Sequence, residues 1–176
     1  MLTKLRKRLA RWLWPRRRRA SPPSAAELDG MVTHVAYELE ALERAAARPG
    51  KRLELEALLV HTRNLRDFFW KEWDPFDKFA DSDVLAEHYF PSHLTWRGSK
   101  NAPPPTVEQT WCAIDRQLAH ITRDRLNPRF VQDLEAAAPA LTQELLDQWE
   151  RFLRKLGTDP RRARFEAERA YWKSQP

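Results

Sequence analysis

The sequence predicts an all-α fold, an antiparallel bundle of about four to five helices preceded by a basic amphipathic arm. Three observations carry this. Ala, Leu, Glu and Arg dominate the 176 residues, glycine occurs only four times, and β-branched residues never alternate with polar ones over a strand's length. Apolar residues recur at helical spacing in one segment after another. Prolines fall between those segments, as helix stops do. A chain this long buries a core without metal or disulfide staples. Its lone cysteine, Cys112, excludes an intrachain disulfide, reads as a packed thiol between Trp111 and Ala113, and suits a reducing, cytoplasmic compartment. Eight tryptophans are expected to anchor helix contacts.

The arm comes first. Leu2, Leu5, Leu9, Trp12 and Leu13 form one apolar stripe, Lys4, Arg6, Lys7, Arg8 and Arg11 fill the rest of the circumference, and Pro15 ends the helix. Arg16, Arg17, Arg18 and Arg19, followed by Ser21-Pro22-Pro23, read as a linker that does not pack. The arm with its linker spans 1–23, the bundle domain 24–157, and a basic C-terminal helix or tail 158–176.

The charge is lopsided. The net +6 includes nine basic and no acidic residues within 1–20; taken from the chain's 31, these leave 22 basic against 25 acidic residues, a balance of −3. The high pI therefore belongs to the arm, and the domain average gives no basic face for nucleic acid. An acid-free amphipathic helix with Leu and Trp on one face suits an anionic membrane surface. It is too short to span a bilayer or to form a signal-peptide core. An organellar leader, a phosphate-binding arm for nucleic acid and a solvated tail are the competing readings. Contact with either polyanion would run through Lys4, Arg8, Arg11, Trp12, Trp14, Arg16, Arg17, Arg18 and Arg19.

Ser24 or Asp29 caps a first helix running to about Arg48, with Leu28, Met31, Val32, Val35, Leu39 and Leu42 on its apolar face. Pro49-Gly50 stops it. A second helix covers about Arg52 to Trp73, with Leu55, Leu58, Leu59, Leu65, Phe68 and Phe69 inward, and Asp74-Pro75 ends it. Residues 76–105 are less regular. Asp81 or Ser82 caps one or two turns over 83–90, and a loop runs from Trp96-Arg97-Gly98 to Pro105, its region's aromatics Tyr89, Phe90 and Trp96 packing on the bundle.

Thr106 caps a third long helix with Val107, Trp111, Ile114, Leu118, Ile121 and Arg125 along one face, broken at Asn127-Pro128. A further helix starts near Pro128 and restarts or kinks at Pro139. Leu141, Leu145, Trp149, Phe152, Leu153 and Leu156 make its second part amphipathic, with Gly157 as its C′ residue. A last helix covers Pro160 to Trp172. Antiparallel packing through short connections is expected.

No phosphate loop, dinucleotide fingerprint, zinc spacing or HExxH motif is present, so no cofactor is called for. Two helix faces place a histidine beside possible partners. Arg116, His120 and Arg123 fall within roughly 60° of one another, nearly opposite the Leu118 stripe. His61 and Asn64 share a side of the second helix, where Arg63 and Asp67 also stand at ion-pair spacing. A histidine beside arginines can serve as general acid or base on a phosphodiester. A solvated face for the first set and an interface histidine for His61 are the plainer readings.

The order of motifs, His61-Thr62-Arg63-Asn64-Leu65-Arg66-Asp67-Phe68-Phe69, then Asp83 to Phe90, then Arg116 to Thr122, resembles an uncharacterised family of small bacterial all-helical proteins over roughly 52–155. More distantly, the helical core resembles HEPN domains, many of which are RNases of toxin and defence systems. That resemblance implies an arginine and a histidine on one helix as the catalytic pair, which Arg116 and His120 match in kind, with three residues between them where the family has four to six. It also implies a homodimer. Arg63-Asn64 opens in the family's manner, and Phe68, Phe69 and Trp70 stand where its histidine would be. Three function classes follow: a non-catalytic interaction protein, possible peripheral attachment to a membrane's inner face included; a HEPN-like RNase or RNA-binding protein; and a small-molecule binder with an aromatic pocket under the Trp96 loop.

Overall fold

The computed structural model describes residues 20–48, 52–76, 83–105, 107–108 and 128–175, and among these every regular element is helical. The order is α1 (Ala25–Ala46), α2 (Arg52–Trp70), a 3-10 turn (Ala86–Tyr89), α3 (His93–Arg97), α4 (Pro128–Leu156) and α5 (Pro160–Ser174). The third long helix of the sequence reading lies, beyond Val107 and Glu108, outside the described residues. Val107 is fully buried, and Glu108 accepts from Arg66 Nη2 at 3.2 Å, so the start of that segment stands against α2.

Ser24, not Asp29, caps α1. Its Oγ accepts from the Glu27 N–H at 3.3 Å, and the Glu27 carboxylate accepts from the Ser24 N–H at 2.7 Å. This reciprocal pair satisfies two of the donors that a helix start leaves open. The hydrogen bonds from Ser24 hold the Glu27 carboxyl below its ordinary range. Leu28, Val32, Val35, Leu39 and Leu42 then recur every three or four residues and are buried against α2, which contributes Leu55, Leu58, Leu59, Leu65, Phe68 and Phe69. The two helices are antiparallel: Glu38 meets His61, and Ala20 meets Pro75.

α2 stops at Trp70, three residues before the Trp73 that the sequence suggested. The Lys71 N–H still donates to the Asp67 carbonyl, but the Trp73 N–H is captured by the Glu87 side chain at 2.9 Å. A side-chain acceptor outside the helix competes with the helical carbonyl for that donor. Trp96 and Arg97 are likewise helical, within α3, where a loop was expected. The Trp96 indole N–H donates to the Phe69 carbonyl at 2.9 Å, and its ring stacks on Phe90 with an interplanar angle of 2°. A tertiary hydrogen bond and a ring stack stabilise a turn too short to form from local propensity.

α4 runs unbroken for 29 residues through Pro139, so the chain does not restart there. Pro139 itself is exposed, while Leu134, Ala138, Leu141, Leu145, Trp149, Phe152 and Leu153 line the buried side. Burial of that stripe outweighs the one hydrogen bond proline removes. Gly157 ends the helix with φ of 60°, the left-handed conformation that glycine adopts without a Cβ clash.

Asp159 caps α5, accepting from the Arg161 N–H at 2.9 Å, with Pro160 in the first helical position. The segment set apart as 158–176 in the sequence is thus helical over Pro160–Ser174, and it lies along α1 in the same direction. Its first turn reaches Tyr89 through Arg161, and Tyr89 donates to the Leu28 carbonyl at the start of α1. Its last turn meets the end of α1, where Arg44 donates to the Trp172 and Gln175 carbonyls. Arg169 pairs with Glu43 at 2.9 Å. Phe165 has no exposed surface and packs against Tyr89, Trp149 and Phe152 with ring centroids 5.3 to 5.4 Å away.

Phe152 is the hub of the aromatic core. Phe68, Phe69, Tyr89, Phe90, Trp96, Trp149 and Phe165 all bring their rings within 6.2 Å of it. The molecule therefore has two distinct ends. The start of α1, the end of α2, α3 and the start of α5 gather at one; the end of α1, the start of α2 and the end of α5 gather at the other. Residues 20–23 pack at the first.

Candidate functional site

At the arm's junction the chain is held by its backbone. The Ala20 N–H donates to the Pro75 carbonyl at 3.0 Å, and Ala20 is buried. Residues 20–23 thus touch the domain, where the sequence suggested an unpacked linker; Ser21 and Pro22 remain exposed and Pro23 is half-buried. The turn after α2 offers the Pro75 carbonyl as the acceptor that holds Ala20. The reading of 1–19 as an arm, with Lys4, Arg8, Arg11, Trp12, Trp14, Arg16, Arg17, Arg18 and Arg19 as contact residues, lies outside the described residues.

Residues 20–23 form one wall of a cleft of about 560 Å³. Trp73, Glu87, His88, Phe90, Pro91 and His93 form the rest. Its floor is a charge network. Glu87 is 1% exposed, and Arg97 grips it with two bonds of 2.7 Å, Nε to Oε2 and Nη2 to Oε1. Arg97 also donates to the Trp73 carbonyl at 3.1 Å. Burial alone would raise the Glu87 carboxyl, but the Arg97 hydrogen bonds, the Trp73 N–H and the charges of Arg97 and His88 outweigh it and hold it below its ordinary value. The same pairing raises Arg97. With three donors on its two oxygens, this carboxylate acts as a fastener between segments.

His88 sits beside it. Its Nδ1 accepts from the Leu85 N–H at 3.1 Å, which requires the neutral tautomer with hydrogen on Nε2. Burial lowers its pKa, against the raising effects of Glu87 and Asp83 and with small lowering effects of His93 and Arg97. The ring meets Trp73 edge to face at 5.7 Å. His88 Nδ1 positions the turn, and its Nε2 is buried with no hydrogen-bond partner among the described residues.

The acid–base set proposed from the sequence is only partly on view. His61 is half-buried on α2 with Nδ1 2.7 Å from Glu38 Oε2 and the Tyr37 ring edge-on at 5.9 Å. Asn64, one turn on, is exposed. Asp67 accepts from Arg66 at 3.1 Å. Arg116 and His120 lie outside the described residues. The space beneath Trp96 is filled by Phe69, Phe90 and Phe152. Among the described residues no group of three His, Cys, Asp or Glu side chains is placed to hold a metal ion, and no helix is long and apolar enough to cross a membrane.

Sequence reading missed the Glu87–Arg97 clasp. Its signal was present: Glu87 is the one acid inside the apolar run Val84-Leu85-Ala86-Glu87-His88-Tyr89-Phe90, and a buried acid needs a cation. Ten residues of separation and a turn hid which cation.

The fold and this junction define an all-α bundle with residues 20–23 fastened at one end. Comparison with known protein families, curated proteins and solved structures finds no match to this chain.

Proposed function

We propose that this chain is a non-catalytic helical interaction protein held at an anionic membrane surface, the cytoplasmic face, by residues 1–20. The observation that carries the reading is the arm's pattern: Leu2, Leu5, Leu9, Trp12 and Leu13 on one side, nine basic residues and no acidic one around and after them. Apolar burial at the headgroup boundary and attraction to anionic lipid add, with each basic residue near the surface contributing about 1 kcal/mol. Phosphate binding alone has no use for the stripe. The junction supports the same reading, because an anchor transmits position only if its root is fixed, and Ala20 is bonded to Pro75.

The test is cosedimentation with phosphatidylglycerol-containing vesicles and with pure phosphatidylcholine vesicles. The full chain is expected to bind the former in a salt-sensitive way, and a chain lacking residues 1–19 is expected not to bind. Equal binding by both chains, or arm-dependent binding to RNA with none to vesicles, overturns the reading.

A further inference from the structure

The bundle end to which residues 20–23 attach also carries exposed apolar side chains. Leu94 is 67% exposed and Phe76 52% exposed. Leu94 stands in an exposed run from Pro91 to Thr95, next to His93 of the cleft wall. Phe76 follows Pro75, the residue to which Ala20 is bonded. Pro22 and Pro91 add further exposed apolar surface around the same cleft. Phe76 and Leu94 thus stand, in chain order, beside residues of the segments that meet where residues 20–23 dock.

The charges at this end are arranged to permit such contact. Glu87 is buried under Arg97, Asp83 is paired with Lys71, and Glu72 lies 3.5 Å from Lys100 and 3.6 Å from Arg97. Glu87, Asp83 and Glu72 are thus each matched by a cation, which weakens their repulsion of an anionic surface, while Asp74 is engaged by the Phe76 N–H at 3.0 Å.

We propose that Phe76 and Leu94 form a second membrane contact, so that the bundle stands on an anionic phospholipid surface with its arm end down. This rests on the membrane reading above. The occupant follows from where the arm ends: with Ala20 fixed at Pro75, an arm lying in the interface brings these two side chains within reach of the same surface. Two side chains that insert only when the arm is bound set the orientation of the bundle, which a single point of attachment at Ala20 would leave free.

The experiment uses the full chain with Cys112→Ser and a single environment-sensitive fluorophore on Leu94→Cys. Leu53→Cys is the control. Leu53 is 75% exposed and lies at the opposite end of the hairpin, roughly 25 Å away along α2. Phosphatidylglycerol-containing vesicles should blue-shift the label at 94 and leave the label at 53 unchanged. In parallel, the exposed double substitution Phe76→Ser with Leu94→Ser should weaken vesicle binding roughly tenfold or more, with thermal unfolding unchanged. If the full chain binds vesicles but the label at 94 stays water-like and the double variant binds as tightly, this proposal fails and the arm reading stands. If the full chain binds no vesicles, both fail. A label at 94 that is already shifted without vesicles shows that position buried against a second copy and overturns the proposal.

Discussion

Arg97 closes on Glu87 with two hydrogen bonds of 2.7 Å, joining α3 to the 3-10 turn while Glu87 takes the Trp73 N–H from the other side. Three pieces of chain that have no long helix of their own are locked by one carboxylate. Removing the cation leaves a carboxylate of 1% exposure with a single neutral donor. Arg97→Ala is therefore expected to cost about 3 kcal/mol in denaturant unfolding, and Glu87→Gln less, since it keeps an acceptor for Arg97. Because the folded-state pKa of Glu87 is depressed, the stabilisation is complete above the ordinary value of 4.5 and is lost as pH falls through the lower folded value. Arg97→Ala should flatten that acid limb; an unchanged limb would show that Glu87 does not contribute to it.

His88 gives a second pH dependence in a separate window. Its folded pKa lies below the ordinary 6.5, so as pH falls below about 6.5 the unfolded chain binds the proton first. Stability should decline from there and level off once pH passes the folded value. His88→Asn keeps an acceptor for the Leu85 N–H and cannot titrate. Melting temperatures measured across this window should fall less in the variant than in the parent.

Phe152 and Phe165 report whether the last helix belongs to the core. Both have no exposed surface. Phe152→Ala removes the ring on which seven others converge and should cost about 3–5 kcal/mol, enough to unfold a marginal bundle. Phe165→Ala should cost a comparable amount. A loss under about 0.5 kcal/mol at Phe165, as for a surface site, would mean α5 is a detachable tail.

Pro139 sits on the exposed side of a continuous helix, where it removes the N–H that would bond to Glu135. Pro139→Ala should stabilise the protein by about 1–2 kcal/mol, the helix gain being partly offset by a freer unfolded chain. A neutral or destabilising result would show that the missing hydrogen bond is offset by other features of the folded helix.

How much of this was legible in the sequence depended on distance along the chain. The apolar faces of α1 and α2 were readable because Leu28 to Leu42 and Leu55 to Phe69 repeat at the helix's own period. The Gly157 exit and the Pro160 start were readable for the same reason, since each acts within one turn, while the first cap was narrowed to Ser24 or Asp29 and the structure chose Ser24. The end of α2 was not, because an acid fourteen residues away takes the Trp73 N–H. Nor was α3, a five-residue helix stabilised by the Trp96 contacts with Phe69 and Phe90.

The sequence by itself determined the all-α class, the inward residues of the long helices and the separation of a basic arm from a mildly acidic domain. These are properties of local periodicity and of charge counted along the chain. Only the tertiary structure decided that Glu87 and Arg97 are partners, that Phe165 completes the core and that the arm's root is fixed at Pro75. Such pairings join residues that the chain keeps apart, and packing alone brings them within hydrogen-bond reach.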